Sequence, residues 1–168
     1  MFDTIAGLPL HPLVVHATEV IIPLAALVLT LAVLWPRFRR WAGYLPLGLA
    51  VAAVALLPLS TQSGEAFEER VGESALVETH SALAETLLPW TIGLAVVAAA
   101  LLAWHWSERA ASERRRPTWV PIVLLVAGLV VATGTTVQAV RIGHSGATAT
   151  WSAVTGSSAP PAGEVDDD

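Results

Sequence analysis

Four long apolar runs alternate with short polar stretches along the chain. They cover about 12–35, 41–59, 79–106 and 119–140. Each has room for the roughly 20 residues that a helix needs to cross a hydrocarbon core of about 30 Å. The pattern predicts an all-α fold, a four-transmembrane-helix bundle occupying residues 1–145. Four such runs in 168 residues make a soluble protein with buried core helices a poor alternative. Ser74 is placed to cap a helix that continues through Trp106, about 50 Å at 1.5 Å per residue, so its first turns should stand above the membrane. Ahead of it, GEAFEERV is expected to form a short interfacial helix, with Phe67 and Val71 on one face. Residues 146–168, GATATWSAVTGSSAPPAGEVDDD, are too polar to bury a core and read as a mostly disordered outer tail.

Charge gives the runs a direction. Arg37, Arg39 and Arg40 lie in the first connection and Arg109, Arg114, Arg115 and Arg116 in the third. On the other side stand Arg70 and Arg141. The positive-inside bias therefore puts connections one and three in the cytoplasm and both termini on the outer, non-cytoplasmic side. Trp35, Trp41, Trp104, Trp106 and Trp119 mark the same interface as aromatic anchors. The acidic stretch with Glu65, Glu68, Glu69, Glu73 and Glu78 then faces outward.

Composition agrees with a membrane class. The chain is 54% hydrophobic and 14% charged, against about 25% charged in a soluble domain. The start, MFDTIAGLPL, carries Asp3 where a signal peptide needs positive charge, so no cleaved signal is expected. The absence of cysteine excludes disulfides, thiolate chemistry, cysteine-ligated iron–sulfur clusters and covalent c-type haem. Arginine without lysine, amid much Ala, Val and Leu, is typical of a GC-rich bacterial gene. The expected location is the bacterial inner membrane, crossed several times.

Histidine and glutamate positions carry the chemistry. His11, His16, His80 and His144 all fall at the outer face, and His105 falls at the other. His11 is expected just before the first helix, since Pro12 suits a first helical position. His16 and Glu19 then share one face about a turn inside. Glu19-Val-Ile-Ile-Pro23 is echoed by Glu85-Thr-Leu-Leu-Pro89, and each proline should free a glutamate carbonyl and bend its helix. Each copy is followed by an apolar run, an Arg-rich connection, a return span and a Ser-Gly segment. Such glutamates either face the bundle interior and mark function or lie near the interface and bond locally. His16 and His80 are candidate axial ligands of haem b. Alternatively His11, His16, His80 and His144 with Glu19 form a candidate transition-metal set, which imidazole does not narrow to one metal. Each histidine and each Ser-Gly turn also has a purely structural reading.

The same residues carry a resemblance. His11-Pro-Leu-Val-Val-His16, Ser63-Gly64-Glu65-Ala66, Glu78-Thr-His80 and Gly143-His144-Ser-Gly146 make the chain similar to the DUF2231 family of predicted bacterial membrane proteins, over about residues 8–152. The resemblance implies a four-helix membrane protein. Some relatives look joined to cytochrome-like modules, which implies redox work. Family members commonly have Phe-Pro after the second histidine; Ala17-Thr18 stands there instead, and the proline comes at Pro23.

Three functions follow. The leading expectation is a small haem- or metal-binding protein serving electron transfer, with a membrane redox partner. The second is a non-catalytic structural or accessory subunit without metal. The third is a proton or metal-ion carrier using His16, Glu19, His80 and Glu85, for which four helices are few unless the chain forms a homodimer. An enzyme is the least supported class, because Ser63 and Ser145 have no evident His–acid partner in the sequence. The lipid bilayer is the expected environment, and nothing points to nucleic acid.

Overall fold

The computed structural model describes residues 4–5, 8–71, 74–110 and 117–155, with the side chains of 4–5, 8–9, 69–71, 110 and 153–155 also left aside. The expectations for Asp3, Glu73, Arg114, Arg115, Arg116 and the last 13 residues fall outside this set.

Among the described residues the fold is all-α apart from two short strands, β1 (Thr4–Ile5) and β2 (Leu8–Pro9), which pair antiparallel. α1 (Leu10–Leu34) follows at once. Pro12 sits in its first turn, where a missing N–H breaks no helical bond. His11 is therefore inside the helix, not before it. At the far end Trp35 is extended and Pro36 opens α2 (Pro36–Ala42), a short helix ended by Gly43 at φ 54°. Only glycine adopts that conformation without strain. Arg39 and Arg40 occupy the last turn of α2, where positive charge suits the helix dipole.

α3 (Leu45–Val71) runs well past the expected end at Leu59. The stretch read as a separate interfacial helix is its continuation. α4 (Ala75–Glu85) is capped as expected, with Ser74 Oγ accepting from Val77 N at 3.3 Å. The single long helix expected from Ser74 to Trp106 is instead broken before α5 (Leu88–Ala110). Pro89 has no N–H for the Glu85 carbonyl, and Thr86 and Leu87 turn back to Leu83 and Ala84 through tight bonds of 3.1 and 3.2 Å. The same Glu-x-x-x-Pro pattern leaves α1 continuous through Pro23, so proline alone does not decide the break. α6 (Trp119–Thr155) carries on through Gly146 and nine residues beyond. The first part of the expected disordered tail is therefore helix.

Among the described residues four stretches are long and apolar enough to cross a membrane: Leu10–Leu34, Leu45–Glu68, Ala75–Arg109 and Trp119–Ser152. α1 and α5 each pack on both α3 and α6 and touch each other only slightly, so the bundle runs α1–α3–α5–α6 around its axis. Its interior is built largely of small residues, among them Ala25, Ala26, Ala32, Ala50 and Ala98, with Leu29 and Leu94 filling between them. A second cluster of Ile22, Ala53, Leu57 and Leu87 lies beside it. Val20, Val51, Val96 and Val130 are more than half exposed, an apolar outer surface that suits lipid. Thr91 and Thr135 are fully buried and return their hydroxyls to Leu88 O and Val131 O at 2.9 and 2.7 Å. No polar group there is left to the hydrocarbon.

Close approach is tightest along α6. A Cβ on Gly134 would lie 2.0 Å from the Trp90 ring, and one on Gly128 would lie 2.8 Å from Val33. Gly134→Ala should therefore cost roughly 1–3 kcal/mol by overpacking, outweighing the gain of up to about 1 kcal/mol from better helix propensity. Gly48, with nothing within 4 Å, is the control: Gly48→Ala should leave stability unchanged or raise it. Reversible denaturation in detergent measures both. A neutral Gly134→Ala would show that the Trp90 contact does not hold the bundle together.

Candidate functional site at the histidine end

Two histidines are built into the bundle in the same way. His11, on the first turn of α1, places Nδ1 3.2 Å from Ser63 Oγ and 3.2 Å from Ser60 O, both on α3. His80, on α4, places Nδ1 3.0 Å from Ser145 Oγ on α6. Each serine turns its own hydroxyl back one helical turn, Ser63 to Ser60 O at 3.0 Å and Ser145 to Ile142 O at 2.9 Å. Each is followed by a glycine that makes room for the ring. A Cβ on Gly64 would meet His11 Cε1 at 3.1 Å, and one on Gly146 would meet His80 Cε1 at 2.9 Å. The repeat seen in the sequence is thus a repeated contact: histidine from the first helix of each hairpin against Ser-Gly from the second.

At His11 the Ser60 carbonyl can only accept, so Nδ1 is the donor there. At His80 the partner is a hydroxyl, which accepts from Nδ1 when its own hydrogen goes to Ile142 O. Among the described residues, neither Nε2 has a hydrogen-bond partner. Both contacts tie a histidine of one helix to a serine of the next, α1 to α3 and α4 to α6. Phe67 stacks on His11 with ring centroids 5.8 Å apart. That holds the imidazole plane and gives the apolar face expected at Phe67 a partner in His11.

The remaining candidates stand apart. His16 is exposed, and its Nδ1 lies 2.5 Å from Pro12 O on its own helix. His144 is exposed on α6. Glu19 and Glu85 are exposed too, so the interior-facing alternative raised for them is not what the fold shows. Among the described residues there is no group of three or more His, Cys, Asp or Glu side chains placed to hold a metal ion. The expected set of four histidines with Glu19 is not drawn together by the fold in that sense. His105 lies at the opposite end, 4% exposed.

Ser63 and Ser145 do have histidine partners, which the sequence alone did not reveal. The twin Ser-Gly segments were the available signal. Each hydroxyl also lies within reach of a carbonyl one turn back, Ser60 O for Ser63 and Ile142 O for Ser145. Gln138 was also missed. It donates from Nε2 to Thr86 Oγ1 and so ties α6 to the break between α4 and α5.

Fold and site together define a polytopic membrane protein with two equivalent His–Ser–Gly contacts at one end. The family model described as "Predicted membrane protein (DUF2231)" matches residues 7–159, and the chain belongs to that family. Neither the curated proteins nor the solved structures yield a match.

The two contacts differ in one respect that can be measured. Ser145→Ala leaves His80 Nδ1 without its one described partner, whereas Ser63→Ala leaves His11 with Ser60 O. Ser145→Ala should cost about 0.6 to 1 kcal/mol, and Ser63→Ala should cost less. Thermal unfolding of the two variants in detergent tests the order, and the reverse order would contradict the hydrogen-bond assignment.

Proposed function

We propose that this protein is a non-catalytic structural or accessory subunit of the bacterial inner membrane, whose outer-face histidines hold helices together. The observation that supports this reading is the duplicated contact itself. Each ring is spent through Nδ1 on the neighbouring helix of its own hairpin, against a glycine that admits it. Such polar bonds between helices are what a bundle in lipid uses as glue. The positive-inside bias favours an arginine end in the cytoplasm and a histidine end outside.

One observation favours a second reading. A ligand histidine has one nitrogen oriented by a hydrogen bond and the other free for the metal, and Nε2 of His11 and of His80 meets that description. On this reading His11 takes the place expected for His16, and the pair binds haem b or a transition metal and passes electrons to a membrane redox partner.

Absorption spectra of the purified chain, oxidised and then dithionite-reduced, with elemental analysis, separate the two. The accessory reading predicts protein absorbance alone after haem-supplemented expression, no stoichiometric metal, and lowered thermal stability in His11→Ala and His80→Ala. A Soret band or a bound metal near one per chain, lost in His80→Ala, would overturn it in favour of the ligand reading.

Orientation has its own test, since the chain has no cysteine. Ser74→Cys, exposed at the histidine end, should react with a membrane-impermeant maleimide in spheroplasts. Thr118→Cys, exposed at the arginine end, should react only after lysis. The opposite pattern would invert the topology.

A further inference from the structure

The end of the bundle opposite His11 and His80 holds a cavity of about 670 Å³ between α2, the last turns of α5 and the first turns of α6. Arg39, Arg40, Arg109 and His105 line its polar side, together with the carboxylate of Glu108. Its other side is apolar, with Leu101, Leu124 and Leu125 among the lining residues.

The polar side is not closed upon itself. Glu108 is already engaged: Oε2 accepts from Arg39 Nη2 at 3.0 Å and Oε1 from Trp104 Nε1 at 2.9 Å. His105 is 4% exposed, yet among the described residues neither Nδ1 nor Nε2 has a hydrogen-bond partner. The nearest carboxylate oxygen, Glu108 Oε2, stands 3.9 Å from Nδ1, beyond hydrogen-bond reach. Arg39 Nε is likewise buried and unpartnered. A polar group buried without a partner is costly, and here such groups line a cavity that carries three guanidinium groups against one occupied carboxylate.

We infer that this cavity binds a phosphate-bearing anion, and that the anion is the headgroup of an acidic phospholipid. Guanidinium groups present planar paired donors that match phosphate oxygens. A ring N–H of His105 and the Nε–H of Arg39 supply further donors from the buried side. The apolar side has the chemistry of an acyl chain's neighbour. A basic pocket between transmembrane helices, at the end that the positive-inside bias assigns to the cytoplasm, is a typical seat for such a headgroup. A soluble phosphate compound offers the same oxygens without the chain, so the test must separate the two sources.

The full chain, delipidated in detergent, is titrated with phosphatidylglycerol, with phosphatidylcholine and with inorganic phosphate while thermal unfolding and native mass spectra are recorded. Phosphatidylglycerol should raise Tm and remain bound at one molecule per chain. Phosphatidylcholine should do neither. Arg39→Gln and Arg40→Gln should each weaken phosphatidylglycerol binding roughly fivefold, and His105→Ala should weaken it as well. Arg40 is exposed, so its variant keeps the test open if Arg39→Gln, which loses the bond to Glu108, fails to fold. An arginine-dependent shift with inorganic phosphate alone would keep the anion site and overturn the lipid assignment. The whole inference falls if phosphatidylcholine acts as well as phosphatidylglycerol, if no anion shifts Tm, or if neither arginine substitution changes binding.

Discussion

Helices already surrounded by hydrocarbon gain little from hiding apolar surface in one another, so they must be held by close contact and by polar groups placed where they meet. The rest of this structure follows from that constraint. Alanines make the interior of the bundle, and Gly128 and Gly134 let α6 approach Val33 and Trp90 more closely than any other residue would allow. Large apolar side chains such as Val51 and Val96 are left to the outer surface. With the shared interior so thin, the ends of the bundle carry the polar fastenings. At one end these are His11 with Ser63 and His80 with Ser145. At the other, Arg39 joins α2 to Glu108 of α5.

The histidine contacts show how a small chemical difference sets the range of roles open to a residue. Each serine hydroxyl lies within reach both of a ring and of a carbonyl one turn back, and at His11 the Ser60 carbonyl makes Nδ1 the donor. Two imidazoles, one from each hairpin, stand at the same end of the bundle, an arrangement that serves a structural bundle. The exposed positions of His16, His144 and Glu19 take them out of the interior where a shared buried centre would form.

Much of the fold was legible in the sequence because bilayer thickness leaves a length and hydropathy mark that needs no tertiary knowledge. All four spans are there, and Ser74 caps its helix as its position foretold. Helix ends were less legible. α3 runs through a charged stretch, and α6 carries on through Gly143 and Gly146, because contacts with α1 and α4 override what local composition favours. Gly146 reads as a helix terminator on its own; set against His80 it is the residue that lets the ring in. The break at Thr86–Leu87 was half visible. Pro89 announced a bend, but the identical spacing at Pro23 produced an unbroken helix, and the Gln138–Thr86 bond that accompanies the break spans 52 positions in sequence. At the site, the clustering of histidines at one end of the bundle was visible, while which residues they pair with depended on the facing helix. Histidines were sought as partners for one another, and the fold gave two of them serines.

The most direct test is a double-mutant cycle between His80 and Ser145, built from His80→Ala, Ser145→Ala and the double variant, with unfolding free energies measured in detergent. A contact that holds α4 to α6 predicts a coupling of about 0.5 to 1.5 kcal/mol. Strictly additive losses would contradict it, and the histidines at this end would then owe their place to something other than holding the helices together.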